Sequence, residues 1–192
     1  MIRFKKRYIV IAVTVIFAIL FVWRVYDVKS RFPAKQIEEC RKGEWIDYNP
    51  RVENMLDADV KMSPVSMNKY NGYEFIEKYP VSSAIHMYEG FEEFMVIVIE
   101  FQVQNCGDSK LSLWKLVSAF EFVSSYNGYG NAALLIDEND DYMVEAGETK
   151  NVEAAVIVNQ TYVGEKNMQK FLNSEFYLLL SGYPLEKRLV YE

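Results

Sequence analysis

An apolar run over residues 8–23, YIVIAVTVIFAILFVW, constrains this chain more than any other stretch. Sixteen helical residues span roughly 24 Å, which is somewhat less than the roughly 30 Å hydrocarbon core of a bilayer. Tyr8 and Trp23 are aromatics of the kind found at both membrane interfaces, and they help to close the difference. Basic residues flank the run on both sides, namely Arg3, Lys5, Lys6, Arg7 and Arg24. The run therefore predicts a transmembrane helix.

Three other interpretations of this run fit less well. A cleaved signal peptide needs small residues at its cleavage site, but the run ends in Phe21, Val22, Trp23 and Arg24. A lipoprotein needs a cysteine directly after the run, and the first one is Cys40. A buried helix of a soluble protein would not need a basic flank on each side. We therefore expect an uncleaved signal anchor.

The predicted organisation follows from the anchor. It comprises a short basic cytoplasmic tail over 1–7, the signal anchor over 8–24, a linker over 25–35 and one domain over 36–192. Lysine and arginine are slightly more numerous before the run than after it, which favours a cytoplasmic N-terminus and an extracytoplasmic domain. The expected location is the cell membrane, crossed once, with the lipid bilayer contacting residues 8–24.

The remaining chain is acidic. Five of the 21 basic residues and none of the 27 acidic ones lie in the first 24 positions, so the rest carries a net charge of −11. Nucleic acids and anionic membrane surfaces are bound by basic faces, so neither is an expected partner of this domain. The acidity is otherwise typical of an exposed domain that must stay soluble.

Short alternating segments separated by turn residues dominate the domain. In 93–105, Met95, Ile97, Ile99, Phe101 and Val103 form one apolar face, and the other face changes from apolar to polar along the strand. A strand covered on both faces at one end is expected at the centre of its sheet. Predicted strands cover 36–40, 44–48, 58–62, 93–105, 110–113, 119–123, 132–136, 143–145, 151–158, 175–180 and 187–191. With one short helix over 164–173, they predict an all-β fold, an antiparallel β-sandwich.

A family resemblance rests on four features of this region. They are the segment VIVIEFQVQNCGDSKLSL (96–113), Phe120-Glu121-Phe122, the turn EAGETKNVEAAVIV (145–158), and a last hairpin containing Phe176, Leu178 and Leu180. Together they resemble the telokin-like, immunoglobulin-type sandwich domains of small membrane-anchored or lipid-anchored proteins from Gram-positive bacteria. The resemblance covers about residues 93–191 and implies an extracytoplasmic, immunoglobulin-like fold without catalytic residues to carry over. The chain departs from the lipid-anchored members because no cysteine ends its anchor.

The cysteines leave two alternatives open. Cys40 and Cys106 could form a disulfide in an oxidising compartment, or remain two free thiols. The chain has no C-x-x-C pair, which makes a redox or zinc site improbable.

Catalytic chemistry has little support. His86 is the single histidine, so a two-histidine metal site is excluded, and nothing beside it resembles a nucleophile elbow. We expect no enzyme activity and no cofactor, and a hydrolase is the function that the sequence favours least.

Two loops remain candidate binding sites. Asp137, Asn139, Asp141 and Glu148 match positions 1, 3, 5 and 12 of a calcium-binding loop, but Tyr142 replaces the usual glycine at position 6. Tyr126 and Tyr129 frame an Asn-Gly turn, as Tyr70 and Tyr73 do earlier, so both could be hairpin tips or recognition surfaces. The expected function is non-catalytic binding of a protein or cell-wall glycan, with a glycan- or calcium-binding module as the alternative.

Overall fold

The computed structural model describes residues 2–32, 34–52, 56–80, 94–126, 128, 130–136, 141–158, 163–182 and 184–191. The chain divides into two units, Met1–Gln36 and Ile37–Glu192. The first unit is the helix α1 (Ile2–Arg31). Within it, residues 8–31 are long and apolar enough to cross a membrane, a test that a signal sequence also passes.

Helix α1 continues through most of the predicted linker. Asp27 forms ion pairs with Arg24 at 3.0 Å and with Arg31 at 2.9 Å. These i,i+3 and i,i+4 pairs lie on one helix face and favour helical geometry there. The helix therefore ends at Arg31, seven residues beyond the predicted end of the anchor.

The second unit is built from strands. Their bounds are β1 (Gln36–Cys40), β2 (Ile46–Tyr48), β3 (Arg51–Val52), β4 (Leu56–Asp57), β5 (Val60–Asn71), β6 (Met95–Asn105), β7 (Leu111–Ser112), β8 (Glu121–Ser124), β9 (Gly130–Asn131), β10 (Leu134–Leu135), β11 (Met143–Val144), β12 (Thr149–Val158), β13 (Phe176–Ser181) and β14 (Leu185–Tyr191). Sheet A has the order β1-β14-β13-β8-β9, and sheet B has the order β10-β12-β6-β5-β2. The strand pairs with a described register are antiparallel.

The two sheets enclose one main core. Phe101 of sheet B meets the ring of Phe120 at 5.7 Å, and Phe122 of sheet A stacks on Phe176 at 5.3 Å. Their rings are buried, together with the alternating apolar residues of β6 and β12 that the sequence pattern identified. The predicted all-β sandwich is therefore the fold of the described domain.

The prediction that β6 lies at the centre of its sheet, made from the residues on its two faces, is confirmed. It lies in the middle of sheet B, paired with β12 on one side and β5 on the other. Its outer face is apolar only at Val96 and Val98, where Phe75 from helix α2 (Gly72–Lys78) covers it in a second small core. Its polar residues begin where that cover ends.

Strand β5 is longer than predicted, because Pro64 does not end it. The register shifts by one residue between Pro64 and Ser66, which is a β-bulge, and the strand continues to Asn71. Strand β2 pairs only with Val60–Met62 of β5, so in the described residues Pro64 lies past the part of β5 that β2 covers. Proline is tolerated at a bulge and at a position without a ladder partner on one side.

The prediction of a single short helix was wrong. Besides the expected helix, α4 (Glu165–Leu172), the described residues form α2 and α3 (Leu113–Val117). Asn71 caps α2 through a capping box, because its side chain accepts from the N–H of Glu74 while the Glu74 carboxylate accepts from the N–H of Asn71. The first Asn-Gly turn therefore starts a helix instead of closing a hairpin. The second does lie between paired strands, β8 and β9.

Candidate functional site

Asn105 holds together one end of the sandwich. Its amide nitrogen donates to the carbonyls of Ser109 at 2.8 Å and Val144 at 3.0 Å, and its amide oxygen accepts from Gly107 N–H at 3.0 Å. The side chain is buried. All these side-chain hydrogen bonds go to backbone groups, which is how a buried polar residue compensates for lost water. The turn after β6 is therefore rigidly shaped.

Asn105 also fixes the turn over residues 145–149, which belongs to another of the segments that carry the family resemblance. The backbone N–H of Asn105 donates to Glu148 O, and its carbonyl accepts from Gly147 N–H, both at 2.9 Å. Gly147 has φ of +79°, a conformation that favours glycine. Within the turn, the Glu148 carboxylate accepts from the N–H of Glu145 at 2.8 Å. The two turns that the sequence showed as separate motifs thus form one structure.

A third segment joins this end through Arg51. Its guanidinium pairs with Asp57 at 2.7 Å and Asp59 at 2.8 Å. The hydrogen bonds from Arg51 and Asn49 hold the pKa of Asp59 below its usual range, so that carboxylate stays ionised. The backbone of Asp59 in turn accepts from Cys106 N–H at 2.9 Å.

The fourth segment is α3, which meets the loop before β11. The ring of Trp114 packs edge to face against Tyr142 at 5.3 Å, and Leu113 N–H donates to Tyr142 O at 2.8 Å. Tyr142 has φ of +52°, the left-handed region that non-glycine residues rarely adopt. The contacts with α3 hold it there. Trp114 remains 44% exposed beside Lys115.

Between these segments lies an open cleft of about 520 Å³, which we call the Asn105 cleft. It is lined by residues 57–59, Asn105, residues 107–112, Lys115 and Met143. Such a volume falls in the range of clefts that hold small molecules.

The charges of the Asn105 cleft are only partly paired. Asp57 and Asp59 share Arg51, and Lys110 pairs with Glu145 at 2.5 Å, which raises the pKa of Lys110. Asp108 and Lys115 line the cleft, and neither side chain has a hydrogen bond or ion pair with another residue of the described ranges. The cleft therefore presents one acid and one base to an incoming ligand.

The predicted calcium loop is described only in part. Asp137 and Asn139 lie outside the described residues. Asp141 accepts from the N–H of Met143 at 3.0 Å and pairs with Lys150 at 3.5 Å, while Glu148 serves the turn beside Asn105. Among the described residues, no three metal-ligating side chains lie close enough together to hold a metal ion. Since Tyr142 already adopts positive φ, the missing glycine is no obstacle by itself, and the calcium site stays a prediction.

Of the tyrosine loop, the described residue Tyr126 does not line the Asn105 cleft. Tyr126, 37% exposed, follows β8, and its N–H donates to Ser124 Oγ at 3.1 Å. The end of β8 next to Tyr126 is paired with Phe176. Lys69 packs over the ring of Phe176 and is paired with Ile97, so this end of β8 lies near the start of β6. The cleft lies at the other end of β6. Tyr129, like His86, lies outside the described residues.

Of the two alternatives left open for Cys40 and Cys106, the structure has both residues as free thiols. Cys40 is buried, with its thiol directed at the carbonyl of Met62 at 3.8 Å. Burial raises its pKa to about 11, with smaller contributions from Glu44 and Glu38. Cys106 is exposed on the turn after β6. The alternative of two free thiols is the one that the structure supports.

Sequence reasoning missed the Asn105 cleft because its members come from four separate segments. Lys115 and Asp108 look like ordinary surface charges, and Trp114 looks like a residue of the return strand. One usable signal was present. The segment Leu113, Trp114, Lys115, Leu116 and Val117 places apolar residues at i, i+3 and i+4, which is a helical spacing that leaves Trp114 outside the core.

Comparisons with known proteins define only the class. No protein-family model and no curated protein matches the chain. An uncharacterized β-sandwich protein from Clostridium difficile 630 has 13% identity and a TM-score of 0.49, covering 82% of this chain and 96% of its own. The yjhA protein from Bacillus subtilis has 7% identity and a TM-score of 0.42, with 80% of this chain and 99% of that protein covered. A functionally unknown protein from Listeria monocytogenes EGD-e has 11% identity and a TM-score of 0.38, with 78% of this chain and 86% of that protein covered.

The β-sandwich of this domain is defined by its own two sheets. Its structural neighbours are uncharacterised proteins from Gram-positive bacteria. At these identities and TM-scores the likeness says nothing about function. The telokin-like resemblance stays a prediction, since no family match tests it.

Proposed function

We propose that this protein is a non-catalytic binding module of the cell membrane, in which α1 is the anchor and the Asn105 cleft is the ligand site. The observation that carries the proposal is the pair of uncompensated charges, Asp108 and Lys115, in an open cleft of about 520 Å³. Four segments build this cleft around one buried asparagine. A cleft whose walls are held by hydrogen bonds before a ligand arrives is suited to binding, because little order is lost when the ligand enters.

The anchor is supported by the length and composition of α1. Residues 8–31 pass the length and hydropathy criteria for a membrane-crossing helix. In the proposed topology the short basic tail is cytoplasmic and the sandwich lies outside, where a protein or a cell-wall glycan would be its partner. The acidic sandwich has no role in binding nucleic acid in this proposal.

Binding rather than catalysis is supported by the protonation of the cleft. General acid–base catalysis needs a group that exchanges protons near the working pH. The pKa of Asp59 is lowered by Arg51 and Asn49, and the pKa of Lys110 is raised by Glu145. Both groups therefore keep a fixed charge near neutral pH, as in a recognition site.

The immunoglobulin-like kinship is part of the same proposal. Two of the four features that carry the resemblance contain the strand end Asn105-Cys106-Gly107-Asp108 and the turn Ala146-Gly147-Glu148-Thr149. These two are hydrogen-bonded to each other through the backbone of Asn105. A sandwich family that retains both motifs would retain the shape of this end of the domain.

The test uses the full-length protein in a mild detergent, labelled with 5-fluorotryptophan. The chain has three tryptophans, Trp23, Trp45 and Trp114, and Trp114→Phe assigns the signal nearest the cleft. Short peptides and a β-1,4-linked N-acetylglucosamine tetrasaccharide are added at millimolar concentration. We expect at least one to shift the Trp114 fluorine signal and leave the other two unchanged. If none does, the proposed binding site is wrong.

A further inference from the structure

We propose that the Asn105 cleft selects a zwitterionic ligand, a short peptide with a free ammonium group and a free carboxylate. The inference rests on the proposed function and names the ligand class of that site. The ligand's ammonium group binds Asp108, and its carboxylate binds Lys115.

The charge inventory of the cleft leads to this ligand class. Asp57 and Asp59 both pair with the single guanidinium of Arg51, and Lys110 pairs with Glu145. Of the charged side chains that line the cleft, only Asp108 and Lys115 have no ion pair with a described residue, and they have opposite signs. A ligand with one charge leaves the other cleft charge without a partner, and a neutral sugar leaves both. A zwitterion compensates both, and the resulting hydrogen bonds are charge-assisted.

The two charges are held apart by separately anchored elements. Asp108 belongs to the turn that Asn105 fixes through Gly107 and Ser109. Lys115 belongs to α3, which is anchored by its buried residues Leu113, Leu116 and Val117. Because both elements are anchored before a ligand arrives, the backbone positions that carry the acid and the base are preset. Such preorganisation reduces the entropy lost on binding.

The cleft also offers neutral groups suited to a peptide. The hydroxyls of Ser109 and Ser112 line it, and neither makes a hydrogen bond within the described residues. Each can donate to a peptide carbonyl or accept from a peptide N–H. The cleft volume is sufficient for a peptide of a few residues.

The experiment compares trialanine with its blocked analogues on the fluorotryptophan-labelled, full-length protein. N-acetyl-trialanine lacks the ammonium group, trialanine amide lacks the carboxylate, and the doubly blocked peptide lacks both. We expect trialanine to bind about tenfold more tightly than either singly blocked peptide, the effect of one hydrogen bond to a charged group. The doubly blocked peptide should be the weakest ligand.

Two variants assign each charge to its partner. Lys115→Met should abolish the preference for trialanine over trialanine amide while keeping the preference over N-acetyl-trialanine. Asp108→Asn should do the reverse. Lys166→Met, on the exposed face of α4, is the matched control and should change neither preference. These side chains are exposed, so thermal melts of the variants should coincide with that of the parent protein.

The outcomes separate the two proposals. If the tetrasaccharide shifts the Trp114 signal and no peptide does, the zwitterion inference is overturned and the binding module stands. If blocked peptides bind as tightly as trialanine, the inference is again overturned. If neither the peptides nor the tetrasaccharide shifts the Trp114 signal, both proposals fail together.

Discussion

Two buried tyrosines differ in one hydrogen bond. Tyr48 and Tyr191 both lie in the main core, 4% exposed. The Tyr48 hydroxyl donates to the carbonyl of Ala119 at 3.2 Å, whereas the Tyr191 hydroxyl has no hydrogen-bond partner among the described residues. Burial raises the pKa of Tyr48 to about 12 and that of Tyr191 well above its usual range. Both hydroxyls therefore stay protonated, and the two tyrosines differ only in whether the hydroxyl donates a hydrogen bond.

This difference predicts opposite effects of removing the two hydroxyls. Tyr191→Phe should raise the free energy of unfolding by about 1 kcal/mol, because a dehydrated hydroxyl without a partner is removed. Tyr48→Phe should lower it by about 1 kcal/mol, because the Ala119 carbonyl loses its donor. Denaturant unfolding measures both. A destabilised Tyr191→Phe variant would show that the Tyr191 hydroxyl does have a partner, such as a buried water.

The two cysteines should react at very different rates. We expect a thiol reagent at pH 8 to modify one cysteine per folded chain, Cys106, and both once the chain is unfolded in denaturant. Cys40 is protected because it is buried and because its pKa of about 11 leaves little thiolate. Cys106→Ser should abolish the rapid reaction. If no thiol reacts in denaturant without a reductant, the two residues are bridged and the structure is wrong on this point.

Among the structural elements, the turn around Asn105 determines the shape of the cleft. Asn105→Ala removes three side-chain hydrogen bonds from a buried position. At about 1 kcal/mol for each bond, we expect the free energy of unfolding to fall by about 3 kcal/mol. Asn151→Ala is the control, since that exposed amide bonds only Gln102 at 3.0 Å and should cost less than about 0.5 kcal/mol. Equal effects of the two substitutions in denaturant unfolding would contradict this account.

Helix α2 depends on the capping box at its start. Asn71→Ala should lower the free energy of unfolding by about 1 kcal/mol, because the N–H of Glu74 loses its acceptor. Because Phe75 of this helix covers the apolar half of β6, fraying of α2 should also increase amide exchange at Val96 and Val98. Asn68→Ala, at an exposed position of β5, is the control. No difference between the two variants would mean that the cap contributes nothing.

At the scale of the whole molecule, the free cysteine tests the proposed topology. A membrane-impermeant maleimide should label Cys106 on intact bacterial cells that express the full chain, because the proposed position of the sandwich is outside. Cys106→Ser should prevent the labelling. Labelling that appears only after the cells are permeabilised would place the sandwich in the cytoplasm and reject the proposed orientation.

The fold was largely predictable because most of its strands can be recognised from short local sequence patterns. The alternation in β6 and β12 follows directly from the two faces of a strand, and the polar half of β6 marks where its cover ends. The predictions failed where a short segment suits two structures. The first Asn-Gly pair could have closed a hairpin, but Glu74 three residues after Asn71 completes a helix cap instead. Residues 113–117 contain strand-forming side chains, yet they form a helical turn.

The candidate site depended on contacts that no local pattern contains. The acidic loop and the tyrosine loop were visible as clusters in the chain, and the structure puts Tyr126 and the Asn105 cleft at opposite ends of β6. The residues of the cleft are spread over residues 57–143 and were not visible as a cluster.

Hydrophobic patterning over a few residues sufficed to predict the apolar helix and the β-sandwich, because burial of a face requires a fixed period along the chain. Tertiary packing alone decided that Asp108 and Lys115 share a cleft and that Cys40 and Cys106 do not share a bond. These facts depend on distances between side chains far apart in sequence. Such distances are set by how strands pair and how turns close on Asn105, and no period along the chain encodes them.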